Sequence, residues 1–147
     1  MNPNHSKVEA AVACFTDGFS CSQAVFSTYA APLGLASETA LKIAENFAMG
    51  MGRGETCGAV TGALMVIGLK NGRTQANDQA AKDKSRGTAK EFIARFTAQN
   101  LAITCNQLVG DDVSTPEGKE AVEAKGIFKT RCPLLVRSAA TILEELL

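Results

Sequence analysis

The residues of this chain best suited to chemistry are its five cysteines, Cys14, Cys21, Cys57, Cys105 and Cys132. No two of them form a CxxC pair, so the sequence contains neither a thioredoxin motif nor a zinc knuckle. The single histidine, His5, stands near the start of the chain. From such a place it is a poor general base, which argues against a Ser-His or Cys-His hydrolase. What remains is the chemistry of the thiolate itself, which is both a nucleophile and a soft metal ligand.

A thiolate needs its charge stabilised, and the sequence around four of the five cysteines provides for that. Cys21 follows Ser20, whose spacing to Gln23 reads as a capping box. Cys57 follows Thr56. Cys105 follows Thr104, with Gln107 completing a second capping box, and Cys132 precedes Pro133, a residue favoured in the first helical turn. Each of the four is thus predicted at a helix N-terminus, where free amides and the helix dipole favour an anion. At such positions a cysteine pKa can fall from about 8.5 to roughly 3.5–7.5. Cys14 instead sits inside a helix beside Ala10, Ala11 and Phe15, and reads as a small core residue.

The stretch MGMGRGETCGAVTG, from Met49 to Gly62, surrounds Cys57 with glycine. Gly50, Gly52 and Gly54 let the backbone curl and present its amides. Gly58 and Gly62 lie four apart on one helical face, open to another helix or to a sulfur-rich cofactor. Gly52, Gly54 and Gly58 are therefore the candidate cofactor-binding backbone, in the manner of an anion-binding nest. No strand precedes the loop, so the dinucleotide-binding fingerprint is not met. Cys57 combines a helix start with the open loop and is the expected lead thiolate. Arg53 and Glu55 are expected to pair or to face water, and Met49, Met51 and Met65 to fill core space.

The elements that must position these residues are all helical. Val8, Ala11, Val12 and Phe15 predict a helix ending near Asp17-Gly18. A second runs from Ser20 to about Ala31, and a third from Ser37 to about Ala48. An apolar helix follows from about Cys57 to Lys70, stopped by Asn71-Gly72. Asn77 to about Ala102 reads as one long helix with a weak point at Gly87. Thr115-Pro116-Glu117 opens a short helix ending at Gly126. The last begins near Pro133 and buries Leu135, Ala139, Ile142, Leu143 and Leu146. The expectation is an all-α, single-domain bundle of six to eight helices over residues 1–147, without repeats or linkers.

Composition sets the outer limits. The 147 residues are 46% hydrophobic, enough for one core, and carry 15 basic against 15 acidic side chains. That balance excludes charge-driven binding to nucleic acid or to a membrane surface. The longest apolar run, Cys57 to Leu69, is too short to span a bilayer, so stable membrane insertion is not expected. The start, MNPNHSKVEA, lacks the features of a secretion signal, and the cysteines do not form a secreted-type disulfide framework. A cytoplasmic location is the expectation.

Cys21, the hexapeptide Cys57-Gly58-Ala59-Val60-Thr61-Gly62, Cys105 and Cys132 together resemble the C_GCAxxG_C_C family of redox-active proteins. The resemblance covers almost the whole chain and carries the family's four cysteines over to these four; Cys14 has no counterpart. It implies a redox role, with some members encoded near transporter genes, and transfers no particular reaction. Three functions fit the residues. The first is a thiol oxidoreductase that cycles thiol and disulfide, with Cys57 attacking and Cys21, Cys105 or Cys132 resolving, and with a redox partner protein or a small electron donor. The second is an electron-transfer or sensor protein whose cofactor is an iron–sulfur cluster or another metal held by Cys21, Cys57, Cys105 and Cys132. The third is a non-catalytic helical module, in which the helix after Cys57 meets a partner or forms a homodimer.

Overall fold

The computed structural model describes residues 3–147, with side chains from Lys7 onward, so the His5 side chain lies outside the described residues. The all-α expectation holds. In chain order the helices are α1 (Pro3–Thr16), α2 (Cys21–Ala30), α3 (Ser37–Ala44), α4 (Gly58–Asn71), α5 (Gln79–Asn100), α6 (Cys105–Val109), α7 (Pro116–Ala124), α8 (Ile127–Thr130) and α9 (Cys132–Leu146). Of these, α8 is a single turn leading into α9. Among the described residues the only β-type pairing is one antiparallel bridge, between Thr56 and Thr104.

Local chemistry explains most boundaries. Ser20 forms the complete capping box with Gln23 that its spacing predicts. Thr104, Thr115 and Asp78 each accept a backbone N–H in the first turn of the helix they precede. At Thr104 the Gln107 side chain takes the threonine hydroxyl's hydrogen bond at 2.8 Å. One boundary differs from expectation: helix α3 stops at Ala44, because Glu45–Phe47 tightens into a 3₁₀ turn and Ala48 is extended. Helix α5 is the one long helix expected, unbroken through Gly87, where no neighbour lies within 4 Å of a would-be Cβ. Gly87 therefore weakens the helix only through its propensity, by about 1 kcal/mol.

Helix α2 is the centre of the bundle, packed against α1, α3, α4 and α9, while α5 covers α4 and α9. The core contains Val25, Phe26, Val60, Val66, Ile67, Phe92, Phe96, Leu135, Ile142 and Leu143. Leu135, Ala139, Ile142 and Leu143 form the buried stripe of α9 as expected, with Leu146 partly buried at its end. The small-residue face of α4 is occupied from within the chain. A Cβ on Gly62 would stand 2.8 Å from Ser22 O and 3.3 Å from Val25 Cβ. That face is thus closed by α2, so the part of α4 expected to meet a partner is not exposed.

A second, smaller cluster gathers Cys105, Val109, Val113 and Val122, with Met49, Ile127, Phe128 and Cys132 packed against it. Cys57 belongs to the main core, and Cys21 packs against that core. The seam between the two clusters is therefore where four helix N-termini bring four cysteines together.

Candidate functional site

Each cysteine is placed by a different local device. Cys21 is the first residue of α2, whose start is anchored to the end of α3. Ser22 Oγ donates to Ala44 O at 2.9 Å, and Gln23 Nε2 donates to Leu41 O at 3.0 Å and to Glu45 Oε2 at 2.6 Å. Ser22 and Gln23 are buried polar residues, and these bonds satisfy them. The chain then enters a left-handed turn, in which Met49, Gly50, Met51 and Gly52 have φ of 55°, 61°, 61° and 70°. Only glycine fits at position 50, since a Cβ there would overlap the backbone of Glu55. The turn aims the Met49 amide at the Cys21 sulfur.

Cys57 is the N-cap of α4, one residue before the first helical position. The bridge at Thr56 and Thr104 fixes it against Cys105. Cys57 N donates to Ile103 O at 2.7 Å, and Cys105 N donates to Glu55 O at 2.6 Å. Cys132 opens α9 beyond the α8 turn. No disulfide joins any of the five cysteines.

Cys21 and Cys57 are neighbours where α2 crosses α4: the Cys21 sulfur occupies the space that a Cβ on Gly58, the residue after Cys57, would take. Thiol hydrogen bonding from Cys57, joined by the amides of Met49, Ser22 and Cys21 itself, draws the Cys21 thiol down to about 7 against the opposing effect of burial. The Cys57 thiol is held well above its ordinary value by the same hydrogen bonding, then by burial and by the neighbouring Cys21 charge. Burial first, and the Cys21 charge second, push Cys105 up to about 11. The same two causes in the same order, joined by Cys105, push Cys132 up to about 12. Cys21 is thus about half ionised at neutral pH, while Cys57, Cys105 and Cys132 remain thiols. Cys14 stands apart, raised by burial, with its sulfur 3.9 Å from Ser27 Oγ.

All four helix-start cysteines line one cavity of about 240 Å³. Its other walls are mostly apolar, among them Phe15, Met49, Leu108, Val109, Phe128 and Leu135; Ser20 adds a hydroxyl, and the charged residues on it, among the described residues, are Lys119 and Glu123. Of the candidate cofactor-binding glycines, Gly58 lines this cavity and Gly52 and Gly54 do not. Gly52 contributes only its positive φ, while Gly54 makes room for the Asn106 side chain. Arg53 and Glu55 pair with each other at 3.4 Å, as expected, with both side chains largely in solvent. Met49 walls the cavity, whereas Met51 is 42% exposed and fills no core space, because the left-handed turn points it outward.

Thiolates are apt ligands for iron or zinc. Among the described residues, however, no three Cys, His, Asp or Glu side chains stand close enough together to hold a metal ion. The four cysteines line one cavity without forming such a group. The donor chemistry fits a metal centre but the placement does not.

Sequence reasoning did not find the Met49 amide or the walls contributed by Leu108, Val109 and Phe128. The amide depends on a methionine in the left-handed region, which no residue preference announces. The walls lie on or beside α6 and α8, helices too short to show a periodic pattern.

No helix of the described residues is long and apolar enough to cross a membrane. No curated protein and no solved structure matches the chain. A family model described as "Putative redox-active protein (C_GCAxxG_C_C)" matches residues 19–146, a span that starts two residues before Cys21 and takes in all four cavity cysteines. With four cysteines at four helix starts, in the order that description spells out, the chain belongs to the C_GCAxxG_C_C family of redox-active proteins.

Proposed function

We propose that the protein is a thiol–disulfide redox protein in which Cys21 and Cys57 are the reactive dithiol. One observation carries this: the Cys21 sulfur sits against Gly58 at the start of α4, next to Cys57, and both cysteines line one cavity. Cys21 attacks and Cys57 resolves, which exchanges the leading role that the glycine loop had suggested for Cys57. Hydrogen bonding from the Cys57 thiol is the largest influence favouring the Cys21 thiolate, and three amides reach Cys21 against one, that of Ala59, that reaches Cys57. Thiolate fraction sets the rate of attack near neutral pH.

Cys105 and Cys132 keep their protons at that pH and line the same cavity. The proposal includes a cytoplasmic setting, supported by five dispersed cysteines without a disulfide framework. It also includes activity as a thiol oxidoreductase toward an electron donor outside the chain.

The test is mild oxidation of the reduced protein followed by peptide mapping. The expected product is a Cys21–Cys57 disulfide, lost in both Cys21→Ser and Cys57→Ser. A first disulfide between any other two cysteines overturns the assignment. Stoichiometric iron and acid-labile sulfide in protein purified without oxygen would replace it with the metal reading.

A further inference from the structure

We infer that the substrate of this site is a small, uncharged, apolar disulfide, R–S–S–R with short hydrocarbon R groups, which enters the cavity whole. The inference rests on the dithiol function proposed above and adds the class of molecule that the dithiol meets.

Three features of the cavity select that class. The first is access. The attacking sulfur, that of the half-buried Cys21, lines the cavity together with the buried Cys57, so a disulfide that enters the cavity meets both sulfurs of the dithiol. The second is size. About 240 Å³ lies below the roughly 300–1,000 Å³ that houses drug-sized ligands. The third is polarity. Phe15, Ala48, Met49, Leu108, Val109 and Leu135 offer no hydrogen-bonding side chain, the Ser20 hydroxyl is engaged with Gln23 in its helix cap, and the exposed Lys119 and Glu123, of opposite charge, stand one helical turn apart on α7. A substrate carrying carboxylates or ammonium groups would lose its hydration there without gaining a partner for each charge, which is costly. A peptide disulfide bearing several charged groups is therefore a poor fit on both size and polarity.

The exchange balances within the cavity. The Cys21 thiolate attacks one sulfur of R–S–S–R, forming Cys21–S–S–R and releasing R–S⁻, which takes the Cys57 thiol proton and leaves as R–SH. The Cys57 sulfur then attacks the Cys21 sulfur, forming the Cys21–Cys57 disulfide and releasing a second R–S⁻, which is protonated by water. The dithiol loses two electrons and the substrate gains them. In the opposite direction the oxidised protein joins two R–SH molecules.

The test compares diethyl disulfide with two charged analogues of similar length, cystamine and dithiodiglycolate. Each rate of Cys21–Cys57 disulfide formation is divided by the same reagent's rate with free mercaptoethanol, which removes intrinsic reactivity. Diethyl disulfide is expected to be faster than both by roughly tenfold or more, the scale on which apolar pockets discriminate. Ala48→Leu, which narrows the cavity without touching a sulfur, is expected to remove most of that advantage while the ultraviolet titration of the Cys21 thiolate stays in place. Equal normalised rates, or an unchanged advantage in folded Ala48→Leu, overturn the substrate class and leave the dithiol function standing. If no reagent, diamide included, yields the Cys21–Cys57 disulfide, the dithiol function falls and the substrate class with it.

Discussion

The Cys21 sulfur rests where a side chain on Gly58 would begin, so the absence of a Cβ at position 58 is what lets Cys21 at the start of α2 pack against the start of α4 beside Cys57. Glycine at 62 serves the same crossing one turn later, but against the backbone of Ser22 and the side chain of Val25. The two positions thus separate packing from chemistry.

Gly58→Ala is expected to destabilise the fold by about 1–3 kcal/mol, the usual cost of overpacking, and to push the Cys21 sulfur away from Cys57. Gly62→Ala is expected to cost a similar amount and leave the thiol pair alone. Urea denaturation measures the first effect in both variants, and the ultraviolet absorbance of the thiolate against pH measures the second. A Cys21 titration that moves equally in the two variants would remove Gly58 from the chemistry.

The pair also dictates a pH profile. Alkylation of Cys21 is expected to reach half its maximal rate near pH 7. Because the Cys57 hydrogen bond is the largest cause, Cys57→Ala should shift that midpoint upward, whereas Cys57→Ser, which keeps a donor, should shift it less. For stability the signs oppose. Cys21 is depressed in the fold, so its contribution is full above the ordinary thiol value of about 8.5 and is lost as pH falls through about 7. Cys105 and Cys132 are raised, so theirs is full below that ordinary value and is lost as pH rises toward about 11 and 12. The urea midpoint should therefore pass through a maximum between these limits, and Cys21→Ser should flatten its neutral side only.

Much of this was legible in the sequence, for reasons particular residues make clear. Ser20, Thr104, Thr115 and Pro133 are start signals written within three or four residues, so the helix N-termini and their cysteines could be placed by local chemistry alone. The placement of Cys21 beside Cys57 could not, because it depends on how α2 crosses α4, and Gly58 and Gly62 signal closeness without naming what comes close. Ranking the two thiols required the amide of Met49, a residue whose left-handed backbone runs against its own preference. Met51 shows the same limit, since its composition suggested core and its turn turned it outward.

That turn yields its own pair of outcomes. Met51 holds φ of 61° with 42% of its surface exposed, so it carries backbone strain with little packing in return. Met51→Gly should stabilise the protein by up to about 1 kcal/mol, as relief of a left-handed conformation allows. Gly50→Ala should do the reverse and more severely, since its Cβ would meet the Glu55 backbone, which has no room to move while Cys105 N is bonded to Glu55 O. Paired thermal melts of the two variants check this. A Met51→Gly melt below that of the parent would mean that the methionine side chain contributes more than its backbone costs.

Asn106 joins the turn to the wall behind Cys105. Its Oδ1 accepts from Val113 N at 2.9 Å, its Nδ2 donates to Asp112 Oδ1 at 3.1 Å, and its side chain occupies the space that Gly54 leaves. The next residue back in the chain is Cys105, so the same side chain ties α6, the segment after it and the glycine turn into one unit. Asn106→Ala leaves the Val113 amide, in a partly buried setting, without its acceptor and is expected to cost about 1–3 kcal/mol. The loss should be local, because Val113 belongs to the small cluster around Cys105 and not to the main core. Hydrogen exchange should quicken across residues 105–115 while α2, α4 and α9 keep their protection. With the wall loosened, Cys105 should alkylate faster at neutral pH than in the parent, and Cys21 should keep its midpoint near 7. Uniformly faster exchange across all helices would instead show that the two clusters unfold as one.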